Sequence, residues 1–151
     1  MPGRILVCDD EHFILHAVRM KLTKAGYDVE TAADGRAGLE AVRRELPLLV
    51  ITDLQMPNMN GIELCHALRS DPATSELPII MLTAKGFEID SSGVAALLRL
   101  SEVIFKPFSP RELVQSAERA IAGGAPPAVV GQSADISALT AALHADGTFS
   151  Q

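Results

Sequence analysis

Leu48-Leu49-Val50-Ile51-Thr52-Asp53 leads into Leu54-Gln55-Met56-Pro57-Asn58-Met59-Asn60-Gly61. Residues 48–52 form a nearly continuous apolar run, the pattern of a strand covered on both faces and hence of a parallel sheet flanked by helices. Asp53, a carboxylate, ends that run. Immediately after it, Gly61 to Ser70 places Leu64, Cys65 and Leu68 at i, i+1 and i+4, which predicts an amphipathic helix.

Working outward, the same alternation of apolar runs and helical patterns repeats five times before about residue 122. The other strands are predicted at Arg4–Cys8, Asp28–Ala32, Ile79–Thr83 and Glu102–Phe105. The first and fourth are as apolar as residues 48–52, whereas the second and fifth suit more exposed positions. Leu113, Val114, Ala117 and Ile121 repeat at helical spacing in the final segment. Ser109 suits the cap of that helix, Pro110 its first position, and Glu112 the carboxylate of a capping box.

After residue 122 the composition turns to Gly-Gly-Ala-Pro-Pro, and Asp135 and Asp146 are the only charged side chains among residues 123–151. This reads as a linker or tail beyond a domain of residues 1–122. Within it, Ile136, Leu139 and Leu143 could share one face of a short helix near 134–146, which at that length needs a surface to dock on. A frayed tail and a docked helix both agree with the pattern. A Gly, Pro, Ala and Ser linker also suits the front portion of a longer protein.

Composition narrows the function. At 48% hydrophobic and 21% charged residues the chain can fold around a core, and 151 residues suit one domain with an appendage. A net charge of −6, with no Lys/Arg cluster interleaved with aromatics, argues against direct nucleic-acid binding. No apolar run reaches the length of a membrane span, so a cytoplasmic location is expected. Cys8 and Cys65 lack the spacing of a metal site or disulfide framework and read as buried thiols.

Chemistry in an open α/β sheet collects at the carboxyl ends of the strands. Asp9 and Asp10 follow the first strand, Asp53 ends the third, Thr83 ends the fourth and Lys106 follows the fifth. Core patterning alone gives no reason for polar groups at all four ends. Three crowded carboxylates repel by about 4 kcal/mol per pair at about 4 Å and an effective dielectric near 20, so the cluster calls for a cation. Hard oxygen donors beside a solvent-open cleft favour Mg²⁺ over a dedicated Ca²⁺ loop. A carboxylate can attack a phosphoryl group to give an acyl phosphate, with Asp53 as nucleophile, Lys106 as counter-charge and Thr83 as hydroxyl donor.

These segments, Leu-Val-Cys-Asp-Asp-Glu, Val-Ile-Thr-Asp-Leu-Gln-Met-Pro-Asn-Met-Asn-Gly, Met-Leu-Thr-Ala and Phe-Lys-Pro-Phe, resemble the motifs of response-regulator receiver domains over residues 4 to about 122. The resemblance implies a flavodoxin-like three-layer sandwich, five parallel strands in order 2-1-3-4-5 and five helices. It implies that Asp53 accepts phosphate from a histidine kinase or phosphotransfer protein. It further implies that Asp10, Asp53 and the Gln55 backbone carbonyl hold Mg²⁺, that Asp9 assists through water, and that Thr83 and Lys106 sense the phosphoryl group. A cis Lys106–Pro107 bond and a possible homodimer follow from the same resemblance.

Departures from the family bear on output. Val103 stands where the family commonly has a switching Tyr or Phe, and Phe105 is expected as a core ring and not its replacement. Leu-Arg-Leu-Ser-Glu replaces the frequent Gly-Ala-Asp before the fifth strand, so the fourth helix is expected to be displaced or irregular. Gln55 and Lys85 occupy positions resembling those that tune dephosphorylation. His12 and His16, four apart, read as a solvated helix face. Two other readings stand beside the switch. A haloacid-dehalogenase-type phosphatase lacks its Asp-x-Asp motif here, and a phosphorylation-independent interaction module has Val103 as its best argument.

Overall fold

The computed structural model describes residues 3–84 and 93–126. Five strands, β1 (Arg4–Cys8), β2 (Asp28–Ala32), β3 (Leu49–Asp53), β4 (Ile79–Thr83) and β5 (Glu102–Phe105), form one parallel sheet in the order β2-β1-β3-β4-β5. Five helices are present among the described residues: α1 (His12–Lys24), α2 (Gly35–Arg44), α3 (Gly61–Ser70), α4 (Val94–Leu97) and α5 (Pro110–Gly123). Both the strand order and the three-layer arrangement match the expectation from sequence.

The period-two alternation of each strand divides the core in two. Ile5, Val7, Leu49, Ile51, Ile80 and Leu82 point to one face, where Leu15, Val18 and Leu22 of α1 and Leu113, Ala117 and Ala120 of α5 cover them. Leu6, Cys8, Val50, Ile79 and Met81 point to the other, beneath Ala41 and Val42 of α2, Leu64, Cys65 and Leu68 of α3, and Val94 of α4. Covering on both faces explains why β1, β3 and β4 had to be apolar throughout. The edge strands β2 and β5 carry half-exposed positions, as read from their sequence.

Three local expectations need adjustment. β3 begins at Leu49 and includes Asp53, one residue later than the apolar run suggests, because Leu48 lies 40% exposed before the ladder starts. Phe105 is not a core ring: it ends the edge strand, past the covered part of the sheet, and is 50% exposed. The reciprocal capping box closes at α3, where Asn60 accepts from the Glu63 N–H and Glu63 from the Asn60 N–H. At α5, Ser109 caps by accepting from the Glu112 N–H at 3.5 Å.

The turn before β5 explains how the missing Gly-Ala-Asp is accommodated. Arg99 takes a left-handed backbone, φ 54°, where glycine would be unstrained. Arg69 holds this turn by donating to the carbonyls of Leu98 and Arg99 at 2.7 and 3.1 Å, and to that of Ser75 at 3.1 Å. The bonds to Leu98 and Arg99 satisfy carbonyls just past the end of the short α4. The expectation of a displaced or irregular fourth helix falls partly on residues 85–92, Lys85 among them, which like the suggested 134–146 helix lie outside the described residues.

Gly61 sets the distance between β3 and α3. Its N–H donates to the Leu54 carbonyl at 2.9 Å, and a Cβ there would sit 2.2 Å from the Asp53 carbonyl oxygen. Gly123, by contrast, has open space around it. Gly61→Ala is therefore expected to cost about 2 to 3 kcal/mol in urea unfolding, while Gly123→Ala leaves stability within about 0.5 kcal/mol. Equal effects at the two positions would contradict the close approach.

Candidate functional site

All five polar positions predicted at the strand ends lie along the carboxyl edge of the sheet. Asp9 directly follows β1, and its N–H donates to the Ala32 carbonyl at 3.1 Å, which carries the pairing with β2 one residue further. That carboxylate is fully buried, with one oxygen accepting from the Glu11 N–H at 3.0 Å and the other from Lys106 Nζ at 3.0 Å. Asp53, the last residue of β3, is 6% exposed and lies 3.1 Å from Lys106 Nζ. Asp10 is exposed at the mouth. Carboxylate oxygens of Asp9, Asp10 and Asp53 lie within 4.8 Å of one another.

Thr83 and Lys106 arrive from the neighbouring strands. Register pairs Asp53 with Leu82, so Thr83 follows one residue beyond it, and Thr83 itself pairs with Phe105. The Lys106 N–H donates to the Thr83 carbonyl at 3.0 Å, joining the two positions through backbone. The next peptide bond, Lys106–Pro107, is cis, as expected from the sequence. Gln55 stands half-buried in the loop after β3, and Val103 is half-buried against the α2–α3 side of the core. His12 and His16 are exposed on α1, consistent with a solvated face.

Glu11 is the participant that sequence reading passed over. It accepts from Lys106 Nζ at 2.9 Å, so the ammonium is shared among Asp9, Glu11 and Asp53. The signal was available in the unbroken acidic run Asp9-Asp10-Glu11, but Glu11 also stands at the N-cap of α1, an ordinary place for an acid.

The electrostatics follow from crowding. Burial first, then the neighbouring Asp9 charge, push the Asp53 carboxyl up to about 7, against the opposing pull of Lys106. Asp9 is also raised, mainly by burial, although the Glu11 N–H and Lys106 act the other way. Burial pulls the Lys106 ammonium down, but the Asp53 charge and its bonds to Glu11 and Asp9 outweigh this and hold it above its ordinary value. Among the described residues, one ammonium faces four nearby carboxylates and does not balance them. The site retains excess negative charge, and its all-oxygen donor set fits a small hard divalent cation.

The family model for the response regulator receiver domain matches residues 5–118. The chain belongs to the response regulator receiver domain family. This receiver is 41% identical over 113 residues to the alkaline phosphatase synthesis transcriptional regulatory protein PhoP of Bacillus subtilis, covering 75% of this chain and 46% of that protein. It is 41% identical over 119 residues to the DNA-binding response regulator MtrA of Mycolicibacterium paratuberculosis, covering 76% and 49% respectively. The chain thus spans about half the length of these curated relatives. Among solved structures, the chemotaxis response regulator CheY4 of Vibrio cholerae superposes with a TM-score of 0.74 at 32% identity, covering 80% of this receiver and 99% of that chain. None of the described helices is long and apolar enough to cross a membrane.

A raised Asp53 carboxyl has a consequence for folding. A group easier to protonate in the folded than in the unfolded chain costs stability as pH rises from its ordinary value of 3.8 toward about 7, and the full cost applies above that. In chelator at about pH 8, Asp53→Asn is expected to be more stable than the native receiver by about 1 to 3 kcal/mol in urea unfolding, with the gap closing near pH 4. A variant no more stable at the higher pH would show that Lys106 already offsets the crowding.

Proposed function

We propose that this receiver is a Mg²⁺-dependent phosphorylation switch in which Asp53 accepts a phosphoryl group from a partner histidine kinase or phosphotransfer protein. The observation that carries the reading is the buried Asp53 carboxylate, 3.1 Å from Lys106 Nζ and within 4.8 Å of the Asp9 and Asp10 oxygens. A nucleophile at the meeting point of an anionic pocket and the Lys106 ammonium suits phosphoryl transfer, where positioning and charge stabilisation supply most of the catalysis.

In the proposed step an Asp53 oxygen forms a bond to phosphorus while the bond from phosphorus to the donor imidazole nitrogen breaks. The imidazole leaves as a neutral base after protonation, and Asp53 becomes an acyl phosphate. Asp10, Asp53 and the Gln55 backbone carbonyl would hold Mg²⁺, with Asp9 acting through water. The ion supplies charge neutralisation for the transferring group. Lys106 gives up part of its bonding to Asp9 and Glu11 and pairs with a phosphoryl oxygen. The Thr83 hydroxyl donates to another phosphoryl oxygen. The product switches protein-protein contacts, and the domain turns over no free substrate.

The receiver unit is proposed as residues 1–122, with 123–151 as linker or tail, working in the cytoplasm with no direct nucleic-acid contact of its own. The relatives' names include DNA-binding regulators. An output of that kind would belong to a segment beyond the receiver. Val103 favours a second reading in which contacts are made without a phosphorylation-driven change. A half-buried valine has no ring to exchange between two positions.

Intact-mass analysis after incubation with acetyl phosphate tests the proposal. One labile phosphoryl group is expected on the native receiver with Mg²⁺, and none on Asp53→Ala or in chelator. A folded native receiver that gains no mass would overturn the phosphoacceptor role and leave the interaction module.

A further inference from the structure

The loop from Leu54 to Asn60 joins Asp53 to α3 and carries Gln55, so its backbone course decides where the Gln55 carbonyl stands. Its start and end are tied together by the bond from the Gly61 N–H to the Leu54 carbonyl at 2.9 Å. Its middle is tied to the loop between β2 and α2, outside the acidic cluster. The Gly35 N–H donates to the Met59 carbonyl at 2.9 Å, and Asn58 Nδ2 donates to Asp34 Oδ2 at 2.8 Å. Gly35 packs so closely that a Cβ there would lie 2.3 Å from the Met59 oxygen.

Asp34 divides its carboxylate between two duties. Oδ1 caps α2 by accepting from the Ala37 N–H at 2.8 Å, while Oδ2 takes the Asn58 amide. These bonds hold Asp34 below the usual carboxylate range, the Ala37 N–H contributing most, so it stays ionised as an acceptor. Asn58 has φ 67°, a left-handed backbone that Asn tolerates better than most residues and that a side-chain bond can fix. A helix cap needs only one oxygen, and the α2 cap is complete without Asn58. The second oxygen reaches the loop after Asp53 through Asn58.

We propose that Asp34 and Asn58 are positioning residues for the cation site: their bond holds the loop so that the Gln55 carbonyl stays within reach of the cation at Asp10 and Asp53. This rests on the proposed Mg²⁺ site, and it adds two residues that contact neither ion nor phosphate. Asp34 acts through Asn58 and the loop backbone.

Two substitutions separate the tether from the fold. Asn58→Gly removes the amide while accepting the left-handed backbone freely. Asp34→Ser keeps an α2 cap while removing the second acceptor. Titrating MgCl₂ alone into the native protein, each variant and the double variant by calorimetry gives the dissociation constants, and urea unfolding in chelator gives metal-free stability. Each single variant is expected to bind Mg²⁺ about tenfold more weakly, the double variant no more weakly than either, with metal-free stability little changed. Native-like affinity in both single variants, beside normal binding by the native protein, would overturn the inference. So would a loss that adds in the double variant and follows metal-free stability, since that marks a structural role. A native protein that binds no Mg²⁺ would overturn the cation site and the inference with it.

Discussion

Lys106 Nζ, held within 3.1 Å of carboxylate oxygens from Asp9, Glu11 and Asp53, is the contact on which the site's arrangement depends. It spans β1, β3 and β5, residues nearly 100 positions apart in sequence, and so ties the carboxyl edge of the sheet together. The ammonium is too little charge for the carboxylates around it. Burial first, and then that imbalance, raise Asp53 to about 7 and leave the edge of an otherwise well-packed domain electrostatically unfinished. A divalent cation and a phosphoryl group together would complete it, the first offsetting the carboxylates and the second taking over the lysine.

The surrounding fold makes the crowding possible. Two covered sheet faces, built from alternating residues of β1, β3 and β4, fix the strand ends so that charged groups cannot relax apart. Gly61 and Gly35 let backbone approach backbone on either side of the loop after Asp53. Stability is spent here for function, a common pattern at sites that hold like charges together.

Much of this was legible in the chain. Apolar runs long enough for strands covered on both faces predicted the parallel sheet, and the polar residues at the ends of four of the five runs pointed to the cluster at its carboxyl edge. Less legible features had physical reasons. Leu48 belongs to the apolar run but precedes the ladder, because hydropathy does not mark where pairing starts. Phe105 reads as core by residue type, yet an edge strand's last position has little to cover it. Glu11 was masked by its ordinary place at a helix start, and the Asp34–Asn58 bond joins loops whose proximity only the fold reveals. Arg99 adopts a left-handed backbone that residue type alone would assign to glycine, and Arg69 supplies the bonds that hold its turn.

Trapping the acyl phosphate tests the central claim most directly, because borohydride reduces a phosphorylated aspartate to homoserine at the residue that carried the phosphate. Peptide mass mapping after phosphorylation by acetyl phosphate with Mg²⁺ and such reduction should find homoserine at position 53 alone, and none when the ion is withheld. Homoserine at Asp9, Asp10 or any other carboxylate, or at no position in a protein that stays folded, would contradict the assignment of Asp53 as the acceptor.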